Sequence, residues 1–420
     1  MTMRTEIRRA LHLGTAVCCI LGFGLSLAAQ GSRPIGDWPQ WRGPNRDGVA
    51  SGFQAPREWP AQLTKRWSVE VGTGYATPVL VGNRIYMFAR RGDNEVTSAH
   101  DVDNGKELWQ VSYAAPFEMH SAAVPHGKGP KSTPTYSNGV LLTVGMTGIV
   151  TALDATTGKQ LWQKPGSAPP LYTSHAFSPI VDGGAVLFHL GGQEKGALTS
   201  FDLKTGGVRW TWEGDAPGYG SPMIARLGGT SQIVTITKQK VVGLNAATGA
   251  LLWERPFKSQ LDTNSFTPVI HGDLVIVSGN GGPTMALRPS QTGGHWTADT
   301  VWENADVPAR MTNIVAFGDA LFGLTTKNAG QYFAVDAKSG KTLWTSPGRQ
   351  AANAAIARAG DYLLSLETDG ELVVARSSQT AFEEVKRYKV ADTETWAQAA
   401  FSGNRIFVKD ASRLTMWTVN

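Results

Sequence analysis

The sequence predicts an all-β chain, an eight-bladed β-propeller of four-stranded antiparallel blades closed by an N-terminal strand that completes the C-terminal blade. Two observations carry that expectation. A unit ending in an aromatic residue recurs from Trp67 to Tyr388 at spacings of 42, 53, 48, 43, 49, 42 and 44 residues, the period of a propeller blade and too uneven for a tight solenoid. The 48 glycines and 22 prolines among the 420 residues are interleaved with short apolar runs instead of forming low-complexity blocks, as many short strands and tight turns require.

Residues 1–29 stand apart from this pattern. Arg4, Arg8 and Arg9 precede an uncharged stretch ending in Ser26, Ala28 and Ala29, the composition of a secretory signal and somewhat short for a membrane span. Cys18 and Cys19 both lie inside it, so a mature chain would have no disulfide and no cysteine metal site. Val17 precedes Cys18, where lipid attachment needs a small residue. Without residues 1–29 the formal net charge falls from +5 to +3, and no basic patch marks a nucleic-acid surface. The chain is therefore expected to be exported, to the periplasm or the extracellular space, as a monomer with no stable transmembrane span. Residues 30–64 read as a lead-in segment and 65–420 as a single propeller.

The repeated unit explains itself residue by residue. Five copies run Asp101–Gly105–Trp109, Asp154–Gly158–Trp162, Asp202–Gly206–Trp210, Asn245–Gly249–Trp253 and Asp336–Gly340–Trp344 at constant spacing. The Asp or Asn side chain accepts local backbone N–H groups, and Gly takes the left-handed position that closes the hairpin. The Trp then fills space between adjacent blades. One full unit predicts strands over 133–137, 140–145, 149–154 and 159–163, with Asn138–Gly139 as a tight hairpin turn. Trp302 ends a unit whose turn is expanded around Gly293 and Gly294, and Tyr388 ends a degenerate one. After Tyr388 the chain supplies strands only over 397–402, 405–409 and 414–419. The missing fourth is 65–71, which carries Trp67 and closes the ring without open edges. Seven blades plus a separate hairpin would leave two edges unpaired.

The segment Ala152-Leu153-Asp154-Ala155-Thr156-Thr157-Gly158-Lys159-Gln160-Leu161-Trp162 resembles the repeat of the pyrroloquinoline-quinone-like (PQQ-like) propellers. The opening Asp37–Trp38–Pro39–Gln40–Trp41–Arg42–Gly43–Pro44 is similar to the start of exported members. The resemblance spans essentially the whole mature chain and implies blades, not an activity, because the family holds quinoprotein dehydrogenases and also the propeller lipoprotein of the outer-membrane β-barrel assembly machinery. The dehydrogenases carry adjacent cysteines beside the quinone, and a calcium ion with acidic and amide ligands on long insertions. Here the adjacent pair is Cys18 and Cys19, in the signal, and the blades are compact. From the assembly lipoprotein the chain departs by lacking a convincing lipid-attachment cysteine.

Any site is expected where inner strands converge on the central channel. Thr77–Pro78, Thr133–Pro134, Ser178–Pro179, Ser221–Pro222 and Thr267–Pro268 introduce those strands, with Asn313, Asn353 and Gln398 at the matching places. Just upstream lie Tyr75, Lys131, His175, Tyr219, Asn264, Arg310 and Trp396, an aromatic and cationic set able to hold a planar or anionic ligand. The longest interval, in the second unit, contains Phe117, Glu118, His120, His126, Lys128 and Lys131, a long loop of functional type. Lys128 and Lys131 read as an anion-facing pair. His120 and His126 lack an obvious third metal ligand. The ligand-binding expectation thus covers Tyr75, Lys128, Lys131, His175, Tyr219, Asn264, Arg310, Asn353 and Trp396, with no metal.

No nucleophile elbow, zinc-protease helix motif, phosphate loop or diagnostic carboxylate pair is present. An acid or base such as Glu118, Asp262 or Glu394 would leave no local signature, since propeller sites draw on several blades. The expected function is a non-enzymatic scaffold of the cell envelope that binds a protein or peptide partner, with no cofactor. The alternative is a quinone-binding oxidoreductase acting on an alcohol or sugar, with Lys131 and Arg310 against the quinone carboxylates.

Overall fold

In the computed structural model, residues 36–166, 171 and 173–419 are described, and the signal-like residues 1–29 lie outside them. The described residues form eight four-stranded antiparallel sheets. In chain order the blades cover 79–114, 135–164, 180–212, 223–256, 269–304, 315–345 and 354–389, and the eighth joins 400–418 to the early strand. That early strand, Thr64–Glu70, pairs with Arg413–Thr418, placing Val69 opposite Leu414, with a bulge between Lys65 and Trp67. Ring closure therefore pairs the first strand with the last, as the sequence predicts.

The seams between blades follow from the repeat. In the third blade's turn, Asp202 accepts the N–H groups of Lys204 and Thr205 through Oδ1, and Gly206 sits at φ +68. The Trp162 ring of the second blade lies against that glycine, and a Cβ added there would stand 2.8 Å from the ring. Trp162 Nε1 donates to the Leu203 carbonyl at 3.0 Å. Trp67, Trp109 and Trp302 repeat the bond to Val102, Ala155 and Ala337. Each of these four Trp side chains is thus capped by the turn of the following blade. Trp253 departs because the fifth blade replaces that turn with the long hairpin Thr284–Thr292 and His295–Asn304. Its Nε1 turns back to Gln232 Oε1 in its own blade, at 2.7 Å. The degenerate Tyr388 instead donates its hydroxyl to the Pro60 carbonyl at 2.7 Å.

Inner strands begin later than expected, at Thr135 where the pattern suggests 133 and at Ala400 where it suggests 397. The residues before them bond sideways. Thr77 N–H donates to Thr133 Oγ1, Thr133 N–H to Ser178 Oγ, Ser178 N–H to Ser221 Oγ, Ser221 N–H to Thr267 Oγ1 and Thr267 N–H to Asn313 Oδ1, at 2.9–3.2 Å. Thr312 Oγ1 donates to Asn353 Oδ1 and Gln398 Nε2 to the Ile356 carbonyl, and Gln398 N–H returns to Thr77 Oγ1. The hydroxyl before each proline is therefore an acceptor in a hoop around the channel, which keeps buried backbone N–H groups paired.

The lead-in segment crosses that channel. Trp38 pairs with Leu80 of the first blade, Val49 bridges Arg358 of the seventh and Phe53 bridges Gly403 of the eighth. Tyr136 N–H of the second blade donates to Pro39 O. Buried Arg46 donates to the Ser178 and Pro179 carbonyls, and buried Arg42 to the Ile314 carbonyl. Trp41 Nε1 reaches Thr267 Oγ1 at 3.1 Å. Two guanidiniums and an indole thus fasten the segment to opposite sides of the ring.

Candidate functional site

The segment makes the channel a cup, not a tube. A cavity of about 190 Å3 opens on the loop face, with Trp41 among its lining residues and Tyr75, Lys131, Tyr219, Asn353 and Trp396 around it. These walls come from the loops that enter separate blades, held by local backbone bonds. Tyr75 N–H donates to Pro130 O at 2.8 Å, and Thr73 Oγ1 to Lys128 O at 2.8 Å. This close approach requires Gly74, at φ +127, because a Cβ there would stand 2.8 Å from the Pro130 carbonyl oxygen. Tyr219 is positioned by its N–H bond to the Asn264 carbonyl at 2.7 Å.

Five of the nine predicted ligand-binding residues therefore face one cavity, and four do not. Asn264 is fully buried, and its Nδ2 is spent on the carbonyls of Thr237, Lys238 and Phe257, where it braces the wall behind Tyr219. His175 is buried behind Ala176, and its ring nitrogens have no hydrogen-bond partner. Burial pushes its pKa down to about 4, with a smaller contribution from His189. Arg310 and Lys128 are exposed and lie outside the lining. The upstream offset from each Ser/Thr–Pro is thus the right loop but not always the right side, because these loops differ in length and twist from blade to blade.

Eleven of the sixteen lining residues lay outside the ligand-binding expectation, and two of them, His126 and Trp41, carry aromatic rings. His126, considered only as a metal ligand, packs edge-on against Trp396 with ring centroids 5.0 Å apart. Trp41 belongs to the lead-in segment, where no blade period points to the channel. Its signal is composition alone, since Trp41, Arg42 and Arg46 crowd a short stretch with no strand alternation.

Electrostatically the cup is one-sided. None of its described lining residues is Asp or Glu. Lys131 is its ammonium, with a single long bond, 3.5 Å, to the Gly127 carbonyl. Burial pushes that lysine's pKa down to about 8. His126 is also lowered, by burial first and then by Lys131 and Arg310. Tyr75 is raised, by burial and then by Glu394 and Asp410. Of the candidate acids, Glu394 is exposed and accepts Trp396 Nε1 at 2.9 Å, Asp262 lies 3.9 Å from Lys238 Nζ, and Glu118 is exposed. The three-carboxylate group found among the described residues, Glu367, Asp369 and Glu371, lies on the seventh blade. Arg387 already occupies it, bonding Glu367 at 2.6 Å and Glu371 at 2.7 Å.

A calcium–quinone pair does not fit these residues. A divalent cation beside the quinone needs carboxylate or amide oxygens, and the lining offers amides from Asn313 and Asn353 but no carboxylate. The cavity is also below the roughly 300–1,000 Å3 typical of sites for drug-sized ligands.

Fold and site together define a PQQ-like β-propeller whose central channel is floored by its own N-terminal segment. Residues 92–346 match the family described as outer membrane protein assembly factor BamB, and the chain belongs to that family. An outer membrane protein assembly factor BamB from Yersinia pestis is 26% identical over 249 residues, which are 53% of this chain and 58% of that protein. The chain thus matches under two thirds of that relative's length. The crystal structure of BamB from Moraxella catarrhalis is similar at a TM-score of 0.62 and 18% identity, covering 85% of this chain and 98% of that one. The quinohemoprotein alcohol dehydrogenase of Comamonas testosteroni is similar at a TM-score of 0.67 and 14% identity, covering 93% and 82%. At such identities the structural likeness is one of fold. No helix among the described residues is long and apolar enough to cross a membrane.

Proposed function

We propose that the chain is an exported, non-catalytic scaffold of the cell envelope that docks a protein partner on the loop face around the cup, in a role akin to that named for its assembly-factor relatives. The cup lining carries this reading. Aromatic rings and one ammonium, with no carboxylate in the lining itself, suit recognition of a partner group and supply no carboxylate-bearing cation site. The rim adds exposed apolar side chains. Val124 is 61% and Leu261 84% exposed, on the short helical turns that lead to His126 and Thr263 of the lining. Leu261 and Asp262 both hold positive φ, 62° and 51°, a conformation that turns Leu261 outward at a cost and marks functional loops.

The test places a photo-crosslinking residue at Val124 or Leu261 in cells, with the blade-edge positions Leu108 and Leu161 as controls. A discrete envelope protein captured from the rim and not from the blade edges supports the scaffold. Equal capture from all four positions, or stoichiometric binding of the quinone with calcium and dye-linked oxidation of an alcohol, overturns it.

A further inference from the structure

We infer that the cup is a socket for a single carboxylate carried on a flat apolar body, seated on the Lys131 ammonium between Trp41, Tyr75 and Trp396. Whether that carboxylate comes as a free aromatic acid or as part of a docking peptide rests on the scaffold reading; the socket itself does not.

Three observations converge on that chemistry. Lys131 is half-buried and faces the cavity, and its described bonding amounts to one 3.5 Å contact with a carbonyl, which leaves donors of its ammonium for a charged acceptor. It has no ion-pair partner among the described residues, although Lys238, on the wall behind Asn264, has two carboxylates within 4.0 Å. The lining itself holds no carboxylate, and Glu394, at its edge, is bonded to the Trp396 indole. The walls supply ring faces for stacking. The cavity, about 190 Å3, has room for an aromatic ring or side chain. A carboxylate entering there would replace a poor bond with a charge-assisted one in a partly dry site.

The charged and titratable groups around the cup include His126, Tyr75, Arg310 and Glu394; His126 lies below its ordinary pKa and is neutral above pH 7.5, and Tyr75 is raised above 10. Between pH 7.5 and 9.5 Lys131 changes state, as does Lys409 behind the Gly74 carbonyl, and the Lys131→Met variant separates the two. Benzoate, whose charge is constant there, should bind with an affinity that falls about tenfold per unit above pH 8. Calorimetry in buffers of different ionisation heat should show proton uptake on binding at pH 9.

The decisive experiment titrates the mature chain with benzoate and with its neutral isostere benzamide. Benzoate should bind at least about tenfold more tightly. Lys131→Met should erase that preference, Lys131→Arg should restore part of it, and Lys128→Met should leave it unchanged. Equal binding of the two probes, no binding of either, or a benzoate preference that survives Lys131→Met would overturn the socket. A short blocked peptide ending in a free phenylalanine carboxylate, against its amide, separates the sources. Competition with benzoate assigns the site to a chain end, and benzoate binding without peptide binding assigns it to a free acid. Crosslinking from Val124 and Leu261 reads the scaffold separately, so either proposal can fail while the other stands.

Discussion

Trp162 and Trp396 put the same indole to opposite uses, and the contrast runs through the whole molecule. At the seam, Trp162 is 8% exposed, its N–H is bonded to Leu203 O, and Gly206 lies flat against its face. At the cup, Trp396 is half-buried, its N–H is bonded to the exposed Glu394, and its ring meets His126 at the cavity wall. Seam residues recur at the blade period and have their polar atoms paired within the protein. The large cup side chains, Trp41, Tyr75, His126, Lys131, Tyr219 and Trp396, follow no blade period, and one is an ammonium with hardly a partner. Stability is thus written in the repeat, and recognition in the departures from it.

The largest expected effect breaks a seam. Trp162→Ala should cost about 3–5 kcal/mol in urea or thermal unfolding, because it removes a buried ring and leaves a cavity between two blades. Trp396→Ala, at the half-buried cup wall, should cost clearly less. Equal losses would erase the distinction between the two regions.

A pair of glycines sharpens the same contrast. Gly206 and Gly229 both hold positive φ, 68° and 82°. A Cβ on Gly206 would stand 2.8 Å from the Trp162 ring, while one on Gly229 meets nothing within 4 Å. Gly229→Ala should therefore cost only the backbone strain, about 1–2 kcal/mol. Gly206→Ala should cost about 1–3 kcal/mol more, as overpacking at the seam. Matching values would mean that the ring yields freely and that the Trp-over-Gly contact does not fix the blade spacing.

The same division explains what could be read from sequence. Asp202, Gly206 and Trp210 recur because each blade must solve the same turn and the same seam, so a period in the sequence gives blade number and closure. The Ser/Thr–Pro positions were legible as the starts of inner strands, but not as a hoop, since an acceptor bond to the next blade lies outside any local pattern. Trp41 and His126 were missed as lining residues because the floor and the longest loop have no equivalent in other blades. Asn264 and Tyr219 lie at comparable offsets from their Ser/Thr–Pro, yet one braces the wall and the other faces the cavity. Only the path of each loop in space separates them.

Two lysines give the smallest and most discriminating comparison. Lys131 and Lys409 are both pushed down to about 8 by burial. Lys409, however, donates to the Gly74 and Asp410 carbonyls at 2.9 and 2.7 Å, tying the eighth blade to the backbone beside Tyr75. For either lysine the native state releases its proton near pH 8 and the unfolded chain near 10.5. Between those values the unfolded state binds more protons, so stability rises with pH, and below pH 8 the cost of holding a desolvated ammonium is present in full. Lys131→Met removes that cost and forfeits one poor bond, so at pH 7 it should stabilise the chain by about 1–3 kcal/mol. The gain should shrink as pH climbs from 8 to 10.5. Lys409→Met removes the same cost but strands two buried carbonyls, and should destabilise at pH 7 by about 1–3 kcal/mol. Urea unfolding of both variants at pH 7 and pH 10 measures the four values. If Lys131→Met destabilises at pH 7, the ammonium has a partner within the protein, and the cup loses its claim to be a place where a bond is held open for a ligand.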